Sequence, residues 1–448
     1  MDLTRFLTYC KRVRIIDDCP PNFDEYSPTY REIQHVADHK PPGVFLPNLR
    51  SIEWPAQFFL NLPLSFFFSP NITKFNSQFS TDDHLNQIRE AFDYHKPVFQ
   101  HLELFPKTTR RNDILVKQLD IRQPNFQGLT TLIFSLGLSM FTIHCDGESV
   151  PLNYETITLL PRLPRLRKLH INLGYDGSHL GTLSPNDFIG FPSLHDIAIG
   201  WESSQSVPVI LALLNGITSP SLAKIAFIPP YEVSPETMLK LTEAIAVYTS
   251  IGDIVIIWNK VVPTSQGIDN LPEWDGSLFV PPLYRLLNLR SLVIQGFIFQ
   301  WNEDLCRSMA SAWPTLTTFI VNQGPFGASL NIQYLAHFAK KCPLLIELSV
   351  PLESTYRNED TFAAVYKGIV RNTPLIIHDH GIYSENDLAT ALYLYTLFGP
   401  FTFRSFIYSS DVKLNEALRI VLKYKLRGGR IAKGFLKFNK WNNKNQYN

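Results

Sequence analysis

The chain has 448 residues, 45% hydrophobic and 18% charged, with a formal charge of +1; that supplies a continuous core with fewer charges than the ~25% of an average chain. The total hides an asymmetry: residues 423–448 hold eight Lys or Arg and no acid, leaving 33 basic against 40 acidic groups, a net of −7, over the other 422 residues. A body of that charge has no global attraction for nucleic acid, and five scattered cysteines (Cys10, Cys19, Cys145, Cys306, Cys342) without a Cys-x-x-Cys pair argue against a disulfide framework and a structural zinc site.

Arg5, Lys11 and Arg12 interrupt any apolar run at the N-terminus, so no signal peptide is predicted there. The most apolar stretches, 129–141 and 388–403, contain polar or helix-breaking residues and are shorter than a membrane span. A reducing compartment, cytoplasmic or nuclear, is the expected location, and Asn71-Ile72-Thr73 then reads as a chance sequon.

Along the chain a frame recurs: Pro, then apolar residues two, five and seven positions later. The clearest copies are Pro164-Leu166-Leu169-Ile171, Pro192-Leu194-Ile197-Ile199 and Pro220-Leu222-Ile225-Phe227, with the prolines 28 residues apart. Eight copies occur, at Pro47, Pro97, Pro164, Pro192, Pro220, Pro282, Pro314 and Pro343; composition alone predicts roughly three. Pro282 overlaps the better register Leu289-Leu292-Ile294 and reads as accidental.

The first apolar residue of each unit forms a ladder: Leu49, Ile72, Phe99, Leu129, Leu166, Leu194, Leu222, Ile251, Leu289, Leu316 and Leu345, with Phe403 as a further candidate. The steps to Leu345 are 23, 27, 30, 37, 28, 28, 29, 38, 27 and 29, and the two long ones mark insertions near 145–160 and 260–285. The second insertion, 262–282, is rich in Pro, Gly and Asp and predicts a surface loop. A fixed period of this size predicts stacked repeats.

One unit is physically legible. The segment x-Leu-x-x-Leu-x-Ile ends in the alternation of a short strand. Proline, without an N–H, is predicted to stop the preceding helix and to stand at or before the strand's first residue. Helical spacing falls between strands at 81–95 (Leu85, Ile88, Phe92), 331–342 (Tyr334, Leu335, Phe338, Ala339), 359–372 and 384–398, where Ser384 and Asp387 resemble a cap. The predicted fold is α/β: a right-handed solenoid, or horseshoe, with an inner parallel sheet and outer helices.

The Leu-x-x-Leu-x-Leu core resembles leucine-rich repeats of the long form, with a helix in each unit, over about 45–350 and as far as 410; the strand asparagine of many such repeats is mostly missing. Two blocks, Phe6-Leu7-Thr8-Tyr9-Cys10-Lys11-Arg12-Val13-Arg14 and Leu46-Pro47-Asn48-Leu49-Arg50-Ser51-Ile52-Glu53-Trp54, resemble fungal F-box/leucine-rich-repeat proteins, in which such blocks follow an F-box. No helical segment with a Leu-Pro start precedes Phe6. The expectation is therefore a fragment, a truncated form, or a relative without the box. The resemblance implies a capping region at 1–45, irregular repeats at 46–410, and a C-terminal helix with a basic tail at 411–448. It also implies the substrate-binding part of an SCF-type ubiquitin ligase receptor, binding the ligase adaptor only where an F-box is supplied. A stand-alone repeat scaffold without a ubiquitin connection is the alternative.

Catalytic spacing is sparse. The chain has no phosphate-binding loop, Gly-x-Ser-x-Gly or His-Glu-x-x-His. His378-Asp379-His380 puts two imidazoles on one face of an extended segment, but no third ligand is near in sequence, so it reads as polar loop. His144 and Cys145 are adjacent and would point apart on a strand. Asp17-Asp18 and Asp82-Asp83 read as turn or cap residues. No enzyme activity, metal or cofactor is expected. The tail interleaves Phe435, Phe438, Trp441 and Tyr447 with lysines; it reads as solvated, with single-stranded nucleic acid or anionic lipid as the alternative.

The better functional candidate is the outward-pointing residue between the last two apolar positions of each unit. Down the ladder these are Glu53, Asn76, Glu103, Ile133, His170, Ala198, Ala226, Val255, Val293, Ile320 and Ser349. The N-terminal end is polar, and the later half small or apolar. A protein partner is expected on His170, Ala198, Ala226, Val255, Val293 and Ile320.

Overall fold

The computed structural model describes residues 8–16, 35, 44–54, 64–79, 82–106, 129, 131–134, 158–173, 188–201, 204–230, 233–257, 273–295, 298–322, 330–350, 352–354, 375–379, 383–384, 394, 397–398 and 401–405. The chain is mixed α/β, with parallel sheets and helices, and divides into two compact units. The first comprises Met1–Ser250 and Trp258–Pro263, the second Ile251–Ile257 and Thr264–Asn448.

In the first unit the sheet strands are β1 (Ile15–Ile16), β2 (Ser51–Trp54), β3 (Lys74–Phe79), β4 (His101–Pro106), β5 (Thr131–Phe134), β6 (Lys168–Leu173), β7 (Asp196–Trp201) and β8 (Lys224–Ile228). Each pairs in parallel with the next in chain order. The register aligns one apolar position of every unit: Ile52, Phe75, Leu102, Leu132, Leu169, Ile197 and Ile225 are successive partners. All are at most 1% exposed. Burying a side chain of this size stabilises by about 1.5–3 kcal/mol, so this stacked row is the sheet's main anchor.

The proline of the frame has a more specific place than the sequence indicated. It stands second in a four-residue turn whose fourth residue is the first apolar one. Leu49 N–H donates to Leu46 O (3.1 Å) across Pro47, Leu166 to Leu163 O (3.4 Å) across Pro164, and Leu194 to Phe191 O (3.3 Å) across Pro192. Proline suits this position because its fixed φ matches the turn and its absent N–H is not called upon. The carbonyl just after that apolar residue then accepts two N–H groups from the next unit. Arg167 O, for example, takes those of His195 (2.8 Å) and Asp196 (2.9 Å).

Helices of this unit among the described residues include α1 (Leu64–Phe67), α2 (Asp82–His95), α3 (Val207–Gly216) and α4 (Pro235–Ile245). The α2 face bearing Ile88, Ala91 and Phe92 is buried, and Phe92 packs on Phe99 with ring centroids 4.6 Å apart. Ser234 caps α4 by accepting the Thr237 N–H at 3.3 Å. Two glycines permit close approach of neighbouring segments. A Cβ on Gly190 would lie 2.3 Å from Pro161 O, and one on Gly216 2.3 Å from Phe188 O.

The second unit repeats the scheme with β9 (Asp253–Ile257), β10 (Glu273–Asp275), α5 (Gly276–Phe279), β11 (Ser291–Gln295), β12 (Ile298–Gln300), α6 (Glu303–Ala312), β13 (Thr318–Asn322), β14 (Leu330–Asn331), α7 (Leu335–Lys341), β15 (Glu347–Ser349), β16 (Leu352–Ser354), β17 (Leu375–Asp379), β18 (Tyr383–Ser384) and β19 (Phe401–Ser405). Strands β9, β11, β13, β15, β17 and β19 form the parallel sheet in that order. Its aligned apolar row is Ile254, Leu292, Phe319, Leu348, Ile377 and Phe403. Behind it, Trp313 is fully buried, donates its Nε1–H to Leu283 O at 3.2 Å and meets the Tyr284 ring edge-on.

Three sequence expectations change here. Phe403 is not a first apolar position but lies in the aligned row, partner of Ile377, three places from its expected register. A unit absent from the ladder, β17, separates it from β15. The insertion 262–282 is not wholly a surface loop: β10 and α5 fall within it, and Phe279 and Val280 are fully buried. Short parallel pairs, β10 with β12 and β14–β16–β18, also arise without having been foreseen. The expected helix 359–372 lies outside the described residues. Of 384–398, Ser384 is in β18, and Leu394, Leu397 and Phe398 are helical and buried.

Candidate functional site

The outward positions fall into register as the alternation required. In the first unit Glu53, Asn76, Glu103, Ile133, His170, Ala198 and Ala226 are successive Cα partners. In the second, Val255, Val293, Ile320 and Ser349 are, and the row continues to His378 and Arg404. Strands β8, β9 and β11 alternate between half-buried and buried residues, so Ala226, Val255 and Val293 stand on the less buried face. Ile320 is likewise half-buried, between fully buried Phe319 and Val321. Ser349 departs from this: it is 1% exposed, so from β9 to β15 the open positions of the row are Val255, Val293 and Ile320.

Two residues before each of these, on the same face, runs a second row that the sequence reading did not single out. In the first unit it is Ser51, Lys74, His101, Thr131, Lys168, Asp196 and Lys224. In the second it is Asp253, Ser291, Thr318 and Glu347. The first unit thus presents lysines, imidazoles and carboxylates. The second presents an aliphatic strip flanked by Asp253 and Glu347, with its cation, Arg404, at the far end of the row on β19. The signal for this row was available: on a strand the residue two before an outward one is also outward.

Charges on the first unit's face are coupled. His101 Nε2 is 2.7 Å from Glu103 Oε1. That hydrogen bond outweighs partial burial and, with the charges of His101, Lys74 and His170, holds the Glu103 carboxyl below the usual range. Burial pushes Asp196 up, but His170, Lys224 and Lys168 more than offset it, and its pKa is also lowered. His170 Nε2 stands 3.7 Å from Asp196 Oδ1.

The remaining candidates form no common site among the described residues. Cys306 is fully buried within α6, and burial, with the nearby Glu303 charge, pushes its thiol up to about 12, which removes it as a nucleophile at neutral pH. Asp82 opens α2 and Asp83 is exposed, as first-turn residues would be. His378 and Asp379 lie in β17; His380, His144, Cys145, Asp17, Asp18 and the basic tail lie outside the described residues. Among the described residues no three His, Cys, Asp or Glu side chains gather closely enough to hold a metal ion, and no helix is long and apolar enough to cross a membrane. No family model matches the chain, and no curated protein matches it.

Proposed function

We propose that this chain is a non-enzymatic protein-recognition module, a leucine-rich-repeat solenoid that binds its partner on the outward rows of its parallel strands. The observation that carries the reading is the strip Val255–Val293–Ile320: three aliphatic side chains aligned across β9, β11 and β13, half-buried in a position where a core role would bury them fully. Repeat scaffolds use such continuous faces for binding, and an aligned aliphatic strip beside carboxylates suits a protein surface with apolar and basic groups. By resemblance of Phe6–Arg14 and Leu46–Trp54, the module acts as the substrate-binding part of an SCF-type ubiquitin ligase receptor in the cytoplasm or nucleus.

A photo-crosslinking residue placed at Val293 tests the reading. Crosslinking in cells to one defined protein, absent when the same residue replaces exposed Arg290, is the expected result; equal crosslinking at both positions overturns it. Recovery of the ligase adaptor with that complex distinguishes the receptor from a scaffold without a ubiquitin connection.

A further inference from the structure

The edge along which the strands begin differs in charge between the units. In β1–β8 the first strand residue and the one before it supply six Lys or Arg: Arg14, Arg50, Lys74, Arg167, Lys168 and Lys224. The one acid at these positions is Asp196, which is buried. The same positions in β9, β11, β13 and β15 hold Asp253, Glu347 and a single cation, Arg290. Residues 1–422 carry a net charge of −7, so the first unit's rim runs against the charge of the body around it.

Five of these cations form two groups. Arg14, Arg50 and Lys74 lie on the adjacent strands β1–β3, Arg167 and Lys168 at the start of β6, and all five are exposed. Arg14 donates an Nη1–H to Asn48 O at 3.4 Å, and none of the five is within salt-bridge distance of a carboxylate among the described residues. Like charges on neighbouring strands repel, and an anion laid along the rim would relieve that repulsion. Between the groups, β4 and β5 begin with Gln100-His101 and Thr130-Thr131, which supply no Lys or Arg, and Glu103 lies two residues further in. Three strand spacings separate β3 from β6, about 14 Å. An extended chain crosses that gap in about four residues.

This pattern selects among anions. A phosphodiester strand carries a charge on every residue and would set some of them opposite the gap, beside Glu103. Its bases would find no Phe, Tyr or Trp at the rim positions on which to stack. A peptide can leave the gap uncharged and place carboxylates at both ends.

We propose that the rim of strand starts in the first unit binds an extended segment of a partner protein with two acidic runs, one held by Arg14, Arg50 and Lys74, the other by Arg167 and Lys168. About four uncharged residues join the runs. The proposal rests on reading the chain as a recognition module and adds a docking edge whose chemistry is opposite to that of the aliphatic strip.

The test uses the full chain and a fluorescein-labelled peptide with two glutamate runs about four uncharged residues apart. The comparison probes are a peptide of the same composition with its glutamates in a single run, and oligothymidylate. The two-run peptide should bind at least about tenfold more tightly than the single-run peptide, because its second contact is made intramolecularly, and binding should weaken as salt is raised. R50Q/K74Q and R167Q/K168Q, all at exposed positions and with wild-type far-UV circular dichroism, should each remove that advantage. V255D/I320D should bind both peptides as wild type does, so failure of the rim is distinguishable from failure of the strip. Three results would each overturn the proposal: equal binding of the two peptides, oligothymidylate binding as tightly as the two-run peptide, or an advantage kept by either rim variant.

Discussion

Leu292 and Val293 are consecutive residues of β11 with opposite fates: Leu292 is fully buried between Ile254 and Phe319, while Val293 lies half-buried between Val255 and Ile320 on the other face. A one-residue slip of register would exchange them. Leu292→Ala should therefore cost about 2–5 kcal/mol in urea unfolding, and Val293→Ala under about 1 kcal/mol. Equal losses would mean that the faces are misassigned.

The two glycines at close approaches predict a second contrast. A Cβ at Gly216 would lie 2.3 Å from the Phe188 carbonyl oxygen and 2.8 Å from the Phe188 Cβ, with no flexible chain end to yield. Gly216→Ala should cost about 1–3 kcal/mol. At Gly252 the nearest atom to a new Cβ is Asn288 O at 3.7 Å, ordinary contact, so Gly252→Ala should change stability by less than about 0.5 kcal/mol. Thermal unfolding of both variants decides the point.

Acid should act on the first unit through Glu103 and Asp196. Both carboxyls are held below their ordinary values in the fold, Glu103 by its His101 hydrogen bond and Asp196 by His170, Lys224 and Lys168 against burial. A lowered folded-state pKa contributes stability that is fully present above the unfolded value and is lost as the pH falls through the folded one. Stability should thus decline below about pH 4, and E103Q/D196N should decline less steeply than wild type in urea titrations across that range. An unchanged acid slope would show that these carboxylates are not linked to folding.

The sheet was legible because its signal is local. In most units the leucine or isoleucine that enters the aligned row lies three residues after the turn's last residue, so counting along the chain gave the partners that the strands adopt, even for the irregular units at Ile72 and Ile251. β17 was missed because Pro374 and Asp379 stand where the frame asks for apolar residues, and the β19 register slipped because Pro400 and Ser405 do the same. The helix α3 was missed for the opposite reason: VPVILALLNG is apolar on nearly every side, so it has no amphipathic stripe to read. Helices α4 and α6 were missed as well, although each carries a local start signal: Ser234-Pro235, and Asn302, whose Oδ1 accepts the Leu305 N–H at 2.7 Å.

Of the candidate face, the row Val255–Val293–Ile320 followed from strand alternation, whereas the character of Asp196 did not. Its strand partners are Lys168 and Lys224, 28 residues away on either side, and only the parallel register makes them neighbours. Sequence patterns give which face a side chain takes; they do not give which charges meet across three strands.

The most direct measurement is capture of the native partner by wild type and by V255D/I320D, with far-UV circular dichroism of both. The two substitutions place charges in the strip and leave the buried row beneath untouched. The account expects superimposable spectra and loss of a defined partner protein from the variant. Superimposable spectra with that partner captured at wild-type levels would contradict it.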